Sequence, residues 1–337
     1  MTQTRAVIFG CGGLELTPQE AEFFAETNPV GFILFARNCE TPDQVRHLTS
    51  QLRDCVKSTN APILIDQEGG RVARLRPPHW RNAPAAQVFA EMASRNMEQA
   101  LEALTLNVRL IGQELRELGI NVDCLPVLDI PQSDADLVIG DRAYGTEPGQ
   151  VAALGRAACD ALLKEGVLPV IKHIPGHGRA TVDSHEALPR VDAEWSKLSA
   201  TDFASFKALA DMPFAMTAHV IYQAIDADRP ATTSPRVVQE IIRGEIGFDG
   251  LLMPDDLSMQ ALAGSFAERT VAALDAGCDF VLHCSGDMTE MQEITGAASA
   301  LSTAAQEKMQ NTLSLIEHYE TVDKVSALQR LDELLPK

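Results

Sequence analysis

No stretch of this chain stays apolar for the roughly 18 residues that a membrane-spanning helix needs. The first apolar run, Ala6–Phe9, is too short for the core of a signal peptide. Positive charge is scarce as well. Lys and Arg number 28 against 47 Asp and Glu, a formal net charge of −19. A surface of that sign repels nucleic acid and anionic lipid, so neither is an expected partner. No obligate protein partner is evident. There is no CxxC pair and no HExxH segment, the common local signatures of a zinc site. The cysteines number seven, an odd count, and are scattered mostly through apolar runs. They read as reduced, buried thiols of a cytoplasmic protein, not a disulfide framework. No linker rich in Ser, Pro or Gly divides the chain. One domain is expected over residues 1–337, with C-terminal helices from about residue 299 packed outside it. With 45% hydrophobic residues, such a chain can bury a sizeable core.

What is present is a regular alternation. Short apolar runs recur at Ala6–Phe9, Val30–Phe35, Pro62–Ile65, Asn121–Leu128, Leu168–Ile171, Phe214–Thr217, Leu251–Met253 and Asp279–Leu282. Near-continuous apolar runs suit parallel strands covered on both faces. Helix-start signals stand between them. Thr17-Pro18-Gln19-Glu20 places an N-cap, a proline at the first helical position and a capping-box glutamate in order. Thr41-Pro42 and Ser234-Pro235 open further helices, and Ala100 to Leu118 carries apolar residues at helical spacing. Eight strands alternating with helices predict an α/β fold, a (β/α)8 TIM-type barrel. A doubly wound open sheet is the alternative. Gly10-Cys11-Gly12-Gly13 lacks the GxGxxG spacing that such a sheet uses at its first turn.

In a barrel the active site forms beyond the C-terminal ends of the strands. Most of these ends carry ionisable residues: Asp66 to Arg71, Asp129, Lys172 and His173, His219, Asp255 and Asp256, and His283, with Asp141-Arg142 further along one loop. Several have structural readings. Asp141-Arg142 suits a loop ion pair, His219 and His283 suit packed histidines, and Asp256 suits the cap of a helix starting near Leu257. The segment from Lys172 to Pro189 is harder to explain by packing. It follows a core strand and carries His173, His177 and His185. A metal site on His173 and His177 is disfavoured, because Pro175-Gly176 between them breaks any helix that would align them. Asp183 and His185 are two apart, so an extended segment puts both on one face. A carboxylate beside an imidazole fixes its tautomer and suits it to acid/base work near neutral pH. Gly176 and Gly178 suit a loop that moves over a substrate.

The motif KHIPGHG, with Asp183-Ser184-His185 and Leu188-Pro189 downstream, resembles the β-N-acetylglucosaminidase (β-hexosaminidase) branch of glycoside hydrolase family 3, of the bacterial cytoplasmic, cell-wall-recycling type. GFILFARN at Gly31–Asn38, DQEGGRVAR at Asp66–Arg74 and PDDLSM at Pro254–Met259 agree with it. The resemblance implies a (β/α)8 barrel and a retaining glycosidase without metal or cofactor. It implies Asp255 as nucleophile and His185 as acid/base with Asp183 its partner. Asp66, Arg74, Arg142, Lys172 and His173 match positions that grip the sugar. The implied substrate is a small carbohydrate, N-acetylglucosaminyl-anhydromuramoyl peptides. A phosphorylase or a β-glucosidase of the same family is the alternative. Two residues depart from the pattern: Ile174 replaces a phenylalanine, and Pro254 replaces the serine before the nucleophile. His177 is left with a loop-shaping role.

Overall fold

The computed structural model describes residues 3–132, 136–184 and 186–336. The strands are β1 (Arg5–Gly10), β2 (Pro29–Leu34), β3 (Ile63–Ile65), β4 (Val122–Asp123), β5 (Leu168–Ile174), β6 (Arg190–Val191), β7 (Phe214–Thr217), β8 (Ile221–Tyr222), β9 (Leu251–Pro254) and β10 (Val281–His283). Eight of them form one parallel sheet in the order β10-β1-β2-β3-β4-β5-β7-β9, while β6 and β8 pair separately. Each of the eight apolar runs contributes one barrel strand, so the expected (β/α)8 fold is the observed one.

The run Asn121–Leu128 is the largest departure in length. Only Val122–Asp123 keeps a regular ladder. Pro126 has no N–H to donate, and beyond Asp123 the segment runs beside β5 through irregular bonds. The Val170 N–H donates to the Leu125 carbonyl at 3.1 Å, and the Leu128 N–H donates to the Lys172 carbonyl at 2.7 Å.

The barrel closes between β9 and β10 without a regular ladder. Side chains and loops bridge this seam. The Asp279 N–H donates to the Leu252 carbonyl at 2.8 Å, and the Leu252 N–H donates to Asp279 Oδ2 at 2.8 Å. Further up, the Leu257 N–H donates to the Leu282 carbonyl at 3.0 Å.

Alternation along the strands sorts the core into two clusters. Ile8, Leu64, Val170, Met216, Met253 and Leu282 point into the barrel, and the residues between them pack outward against the helices. Leu301, Ala305 and Met309 join the interior cluster. They belong to or precede the helix Thr303–Ser314, which plugs the N-terminal end of the barrel. The Ala6 N–H donates to the Ser299 carbonyl, and the Leu301 N–H to the Thr4 carbonyl, at 3.0 and 2.7 Å. The opposite end is therefore the open one.

The helix starts behave as their sequences predict. Thr17 caps Pro18–Thr27 with a complete capping box through Glu20. Thr41 caps Pro42–Val56, and Asn96 caps the long helix Met97–Glu117. Among the described residues no helix is long and apolar enough to cross a membrane.

Candidate active site

The floor of the open end is one more layer of the strand alternation. After the inward residues Ile33, Leu64, Val170, Met253 and Leu282, the next inward positions are Phe35, Asp66, Lys172, Asp255 and Cys284. All five of these line a cavity of about 370 Å³ at the C-terminal ends of the strands. The layers below are apolar and this one is largely charged, so the change from packing to chemistry happens within two residues along each strand.

Two carboxylates and three cations interlock here. Lys172, only 1% exposed, places Nζ 2.8 Å from Asp66 Oδ1 and 2.6 Å from Glu68 Oε1. Arg74 Nη2 meets Asp66 Oδ2 at 2.9 Å. Arg142 grips Glu68 in a fork, Nη2 to Oε1 at 2.8 Å and Nε to Oε2 at 2.9 Å. Such bidentate pairs fix geometry as well as charge. Burial works to raise the Asp66 carboxyl, but Lys172 and Arg74 outweigh it and hold it well below the usual range. Burial likewise pulls on Lys172 to lose its proton, and Asp66 and Glu68 overcome that, holding it firmly protonated. The Arg74 guanidinium also lies over the Phe35 ring, 5.1 Å from its centre.

Asp255 stands at the end of β9. Its N–H donates to the Thr217 carbonyl at 3.3 Å, and its Oδ1 accepts from the Asp256 N–H at 2.8 Å. Its Oδ2 lies 3.9 Å from His173 Nε2. The other side of the His173 ring is held by buried Asp129, with Nδ1 2.6 Å from Asp129 Oδ2. The second Asp129 oxygen accepts the His177 N–H at 2.6 Å. One carboxylate thus pins both ends of the KHIPGH turn. Asp183 lines the same cavity.

Of the residues singled out in the sequence, Asp66, Arg74, Arg142, Lys172, His173, Asp183 and Asp255 come together around this cavity. His185 lies outside the described residues. The remaining candidates sort differently. His219 is buried, its Nδ1 2.7 Å from Thr232 Oγ1 and its Nε2 3.1 Å from the Asp256 carbonyl. His283 faces outward to Ser285 and Glu290. Asp256 caps no helix at Leu257. It holds a turn by accepting the Ser258 N–H at 3.0 Å, and it accepts the Cys284 N–H across the seam at 3.1 Å. The next helix starts at Phe266 under a Ser265 cap. Asp141 and Arg142 do not pair with each other: Asp141 binds Arg71, and Arg142 binds Glu68. Gly178 answers a packing need, because a Cβ there would stand 2.1 Å from the Ile130 carbonyl oxygen. Among the described residues no group of three or more His, Cys, Asp or Glu is placed to hold a metal ion.

Two residues outside the expected set are central. Glu68 links Lys172 to Arg142, and Asp129 organises the histidines. The sequence signal for Glu68 was its place two after Asp66 at one strand end. For Asp129 it was an acidic residue at the strand end before a loop.

Asp123, on β4 below this layer, adds a titratable group. Its Oδ1 accepts the Gln67 N–H at 3.0 Å, while Oδ2 is buried with no hydrogen-bond partner. Burial above all pushes its carboxyl up to about 8, against the Gln67 N–H and Lys172, which pull it down. An unfolded aspartate ionises near pH ~4. Between these values the native state binds a proton that the unfolded state has lost, so this group makes stability fall as pH rises through that window. Asp123→Asn is expected to remove that slope. Thermal unfolding compared from pH 5 to pH 8 checks it, and parallel wild-type and variant curves would contradict it.

Residues 5–317 match the glycosyl hydrolase family 3 N terminal domain. A β-hexosaminidase of Methylococcus capsulatus is 40% identical over 281 residues, covering 82% of each chain. A β-hexosaminidase of Alkalilimnicola ehrlichii is 40% identical over 286 residues, 82% of this chain and 80% of that one. Among solved structures, NagZ from Neisseria gonorrhoeae in complex with N-trifluoroacetyl-D-glucosamine superposes with a TM-score of 0.88. It is 29% identical, over 98% of this chain and 97% of that one. A glycoside hydrolase family 3 β-N-acetylglucosaminidase from Paenibacillus superposes with a TM-score of 0.85 at 30% identity, over 98% of this chain and 67% of that one.

Proposed function

From the premise that this chain belongs to glycosyl hydrolase family 3 and is a glycoside hydrolase, we propose that it is a retaining exo-β-N-acetylglucosaminidase. Its substrates are peptidoglycan-derived muropeptides, N-acetylglucosaminyl-anhydromuramoyl peptides among them. It works as a single catalytic unit in the cytoplasm, where seven free cysteines are at home. The observation that supports the reading is that Asp255 lines one cavity together with Asp66 and Lys172 of the charged cluster.

In this mechanism Asp66, Arg74, Arg142, Lys172 and His173 hold the sugar by its hydroxyls, so the anomeric carbon is presented to Asp255. A carboxylate oxygen of Asp255 bonds to that carbon as the glycosidic C–O bond breaks. His185 gives its proton to the departing oxygen, and Asp183 supports the imidazolium form. His185 then takes a proton from the incoming water, which attacks the same carbon and releases Asp255. A second inversion restores the original anomeric configuration. Positioning by the clamp supplies a large part of the rate. Among the described cations lining the cavity, Arg71, Arg74, Arg142 and Lys172 are each already ion-paired. That supports water rather than phosphate as the acceptor.

Mass analysis of products tests the substrate. Release of N-acetylglucosamine from muropeptide fragments, faster than from chitobiose and with none from a β-glucoside, is expected; preferential cleavage of the glucoside would overturn it. His185→Ala tests the proton transfer. Substrates with poor leaving groups should lose roughly 10²- to 10⁴-fold in rate, while activated aryl glycosides lose far less. Equal losses on both would remove His185 from the acid role.

A further inference from the structure

Ser184 is an oddity of its segment. From 181 to 188 it is the one buried residue among those described; its neighbours are exposed or half-buried. A serine side chain brings too little apolar surface for burial to be its reason. Its polar contacts give the reason. Ser184 Oγ lies 3.1 Å from His177 Nε2. The Ser184 carbonyl accepts the Ala261 N–H at 3.3 Å. The first contact ties the segment to the end of β5, and the second ties it to the loop that follows Asp255. His177 is itself fixed, its N–H on Asp129 Oδ1 at 2.6 Å and its ring edge-on to His173 with centres 5.8 Å apart.

We propose that His177 and Ser184 are positioning residues: together they anchor the segment around Asp183, and so set how the carboxylate of the proposed Asp183–His185 pair stands at the cavity. The inference rests on the reading of that pair as the acid/base. Ser184 follows Asp183 directly in the chain, so a fixed Ser184 limits how far Asp183 can stray. A packing role alone does not call for this pairing, because an apolar ring fills the same space without a partner. Burial pushes the His177 imidazole down to about 4, so it is neutral near neutral pH. A neutral ring accepts from a serine hydroxyl or donates to it equally well. The anchor leads back through His177 to Asp129, whose other oxygen holds the ring of His173. The sugar-gripping end and the proton-transfer end of the KHIPGHG loop therefore share one buried carboxylate.

Ser184→Ala deletes the hydroxyl and little else. Substrates with alkyl or sugar leaving groups are expected to lose about 10- to 100-fold in kcat/KM, the scale of a misplaced catalytic group. Dinitrophenyl glycosides, which need little protonation, should stay within about threefold. Ser184→Thr keeps a hydroxyl at the same atom and is expected to restore the slow substrates, which a merely structural role would not require. Equal losses on both substrate classes, no loss on either, or failure of the threonine to restore activity would each overturn the anchor. Amide exchange gives a readout that needs no turnover. The Glu186 and Ala187 N–H groups both donate to the Asp183 carbonyl at 3.0 Å. In Ser184→Ala they should exchange about tenfold faster, as local opening becomes easier. Unchanged exchange overturns the anchor whatever the activity. Faster exchange in a protein that cleaves no N-acetylglucosaminide supports the anchor and sinks the substrate reading instead. His177→Gln, probed the same way, is expected to move exchange in the same direction.

Discussion

Asp255→Ala is expected to lower turnover of an aryl β-N-acetylglucosaminide by on the order of 10⁴-fold or more, the scale on which removing a nucleophile acts. The fold should be unaffected. Asp255 is at the strand's end, and its side chain accepts an N–H from the very next residue, Asp256. That bond belongs to the loop, and the strand ladder below it is complete through Pro254. The loss should therefore fall on kcat, with binding by the clamp preserved. A second readout separates a nucleophile from a residue that merely holds the sugar. Azide, small enough for the space left by the carboxylate, should restore part of the rate on an activated substrate and yield a glycosyl azide of inverted configuration. Near-normal turnover, or azide without effect on rate and product alike, would take Asp255 out of the role.

The second large effect concerns stability. Lys172→Met is expected to destabilise the protein by about 3–5 kcal/mol, because it leaves buried Glu68 and half-buried Asp66 without the cation between them. Asp66 keeps Arg74 and Glu68 keeps Arg142, so the site is not stripped. But Lys172 Nζ is within 2.8 Å of both carboxylates and is the sole ion-pair link between them among the described residues. Without it no cation bridges the two, and their mutual repulsion is less well offset. Part of the cost should be recovered at low pH, where protonation of one carboxyl relieves that repulsion. Wild-type Asp66 and Glu68 act in the opposite sense. Both are held below their ordinary range, so their stabilisation is present above the unfolded values and fades as pH falls through the folded ones. Denaturant unfolding at neutral and acid pH checks both statements. A loss under about 1 kcal/mol, the scale of an exposed pair, would show that Lys172 does not hold the cluster together.

The strands were legible because a parallel sheet buried on both faces leaves an unmistakable run of apolar residues. Leu168–Ile171 and Leu251–Met253 are examples, and the sheet uses both. The exception, Asn121–Leu128, is instructive. Apolar composition reports burial, and Leu125 to Leu128 is buried, but it does not report the ladder, which Pro126 interrupts. The charged residues that line the cavity were legible as ionisable residues at strand ends, helped by a family pattern. What could not be read locally was who pairs with whom. Asp141 and Arg142 are adjacent in sequence and point to different partners. Glu68 meets Arg142 across 74 positions, and Asp129 meets His173 across 44. Side-chain alternation tells which face a residue is on, but only closure of the barrel decides which neighbours share that face.

The unladdered seam between β9 and β10 has a consequence for Pro254. Backbone N–H groups along β9 alternate in direction. That of Asp255 goes to β7, while that of Leu252 crosses the seam to Asp279. Position 254 therefore directs its nitrogen to the seam, where no strand waits for a donor. Proline is excluded from the interior of a sheet because it starves a neighbour of a hydrogen bond, and it is accepted at an edge, where it starves none. A closed barrel has no outer edge, but this one retains a hidden internal edge beside Asp255. There a proline can precede Asp255 without unzipping the ladder that joins its strand to β7.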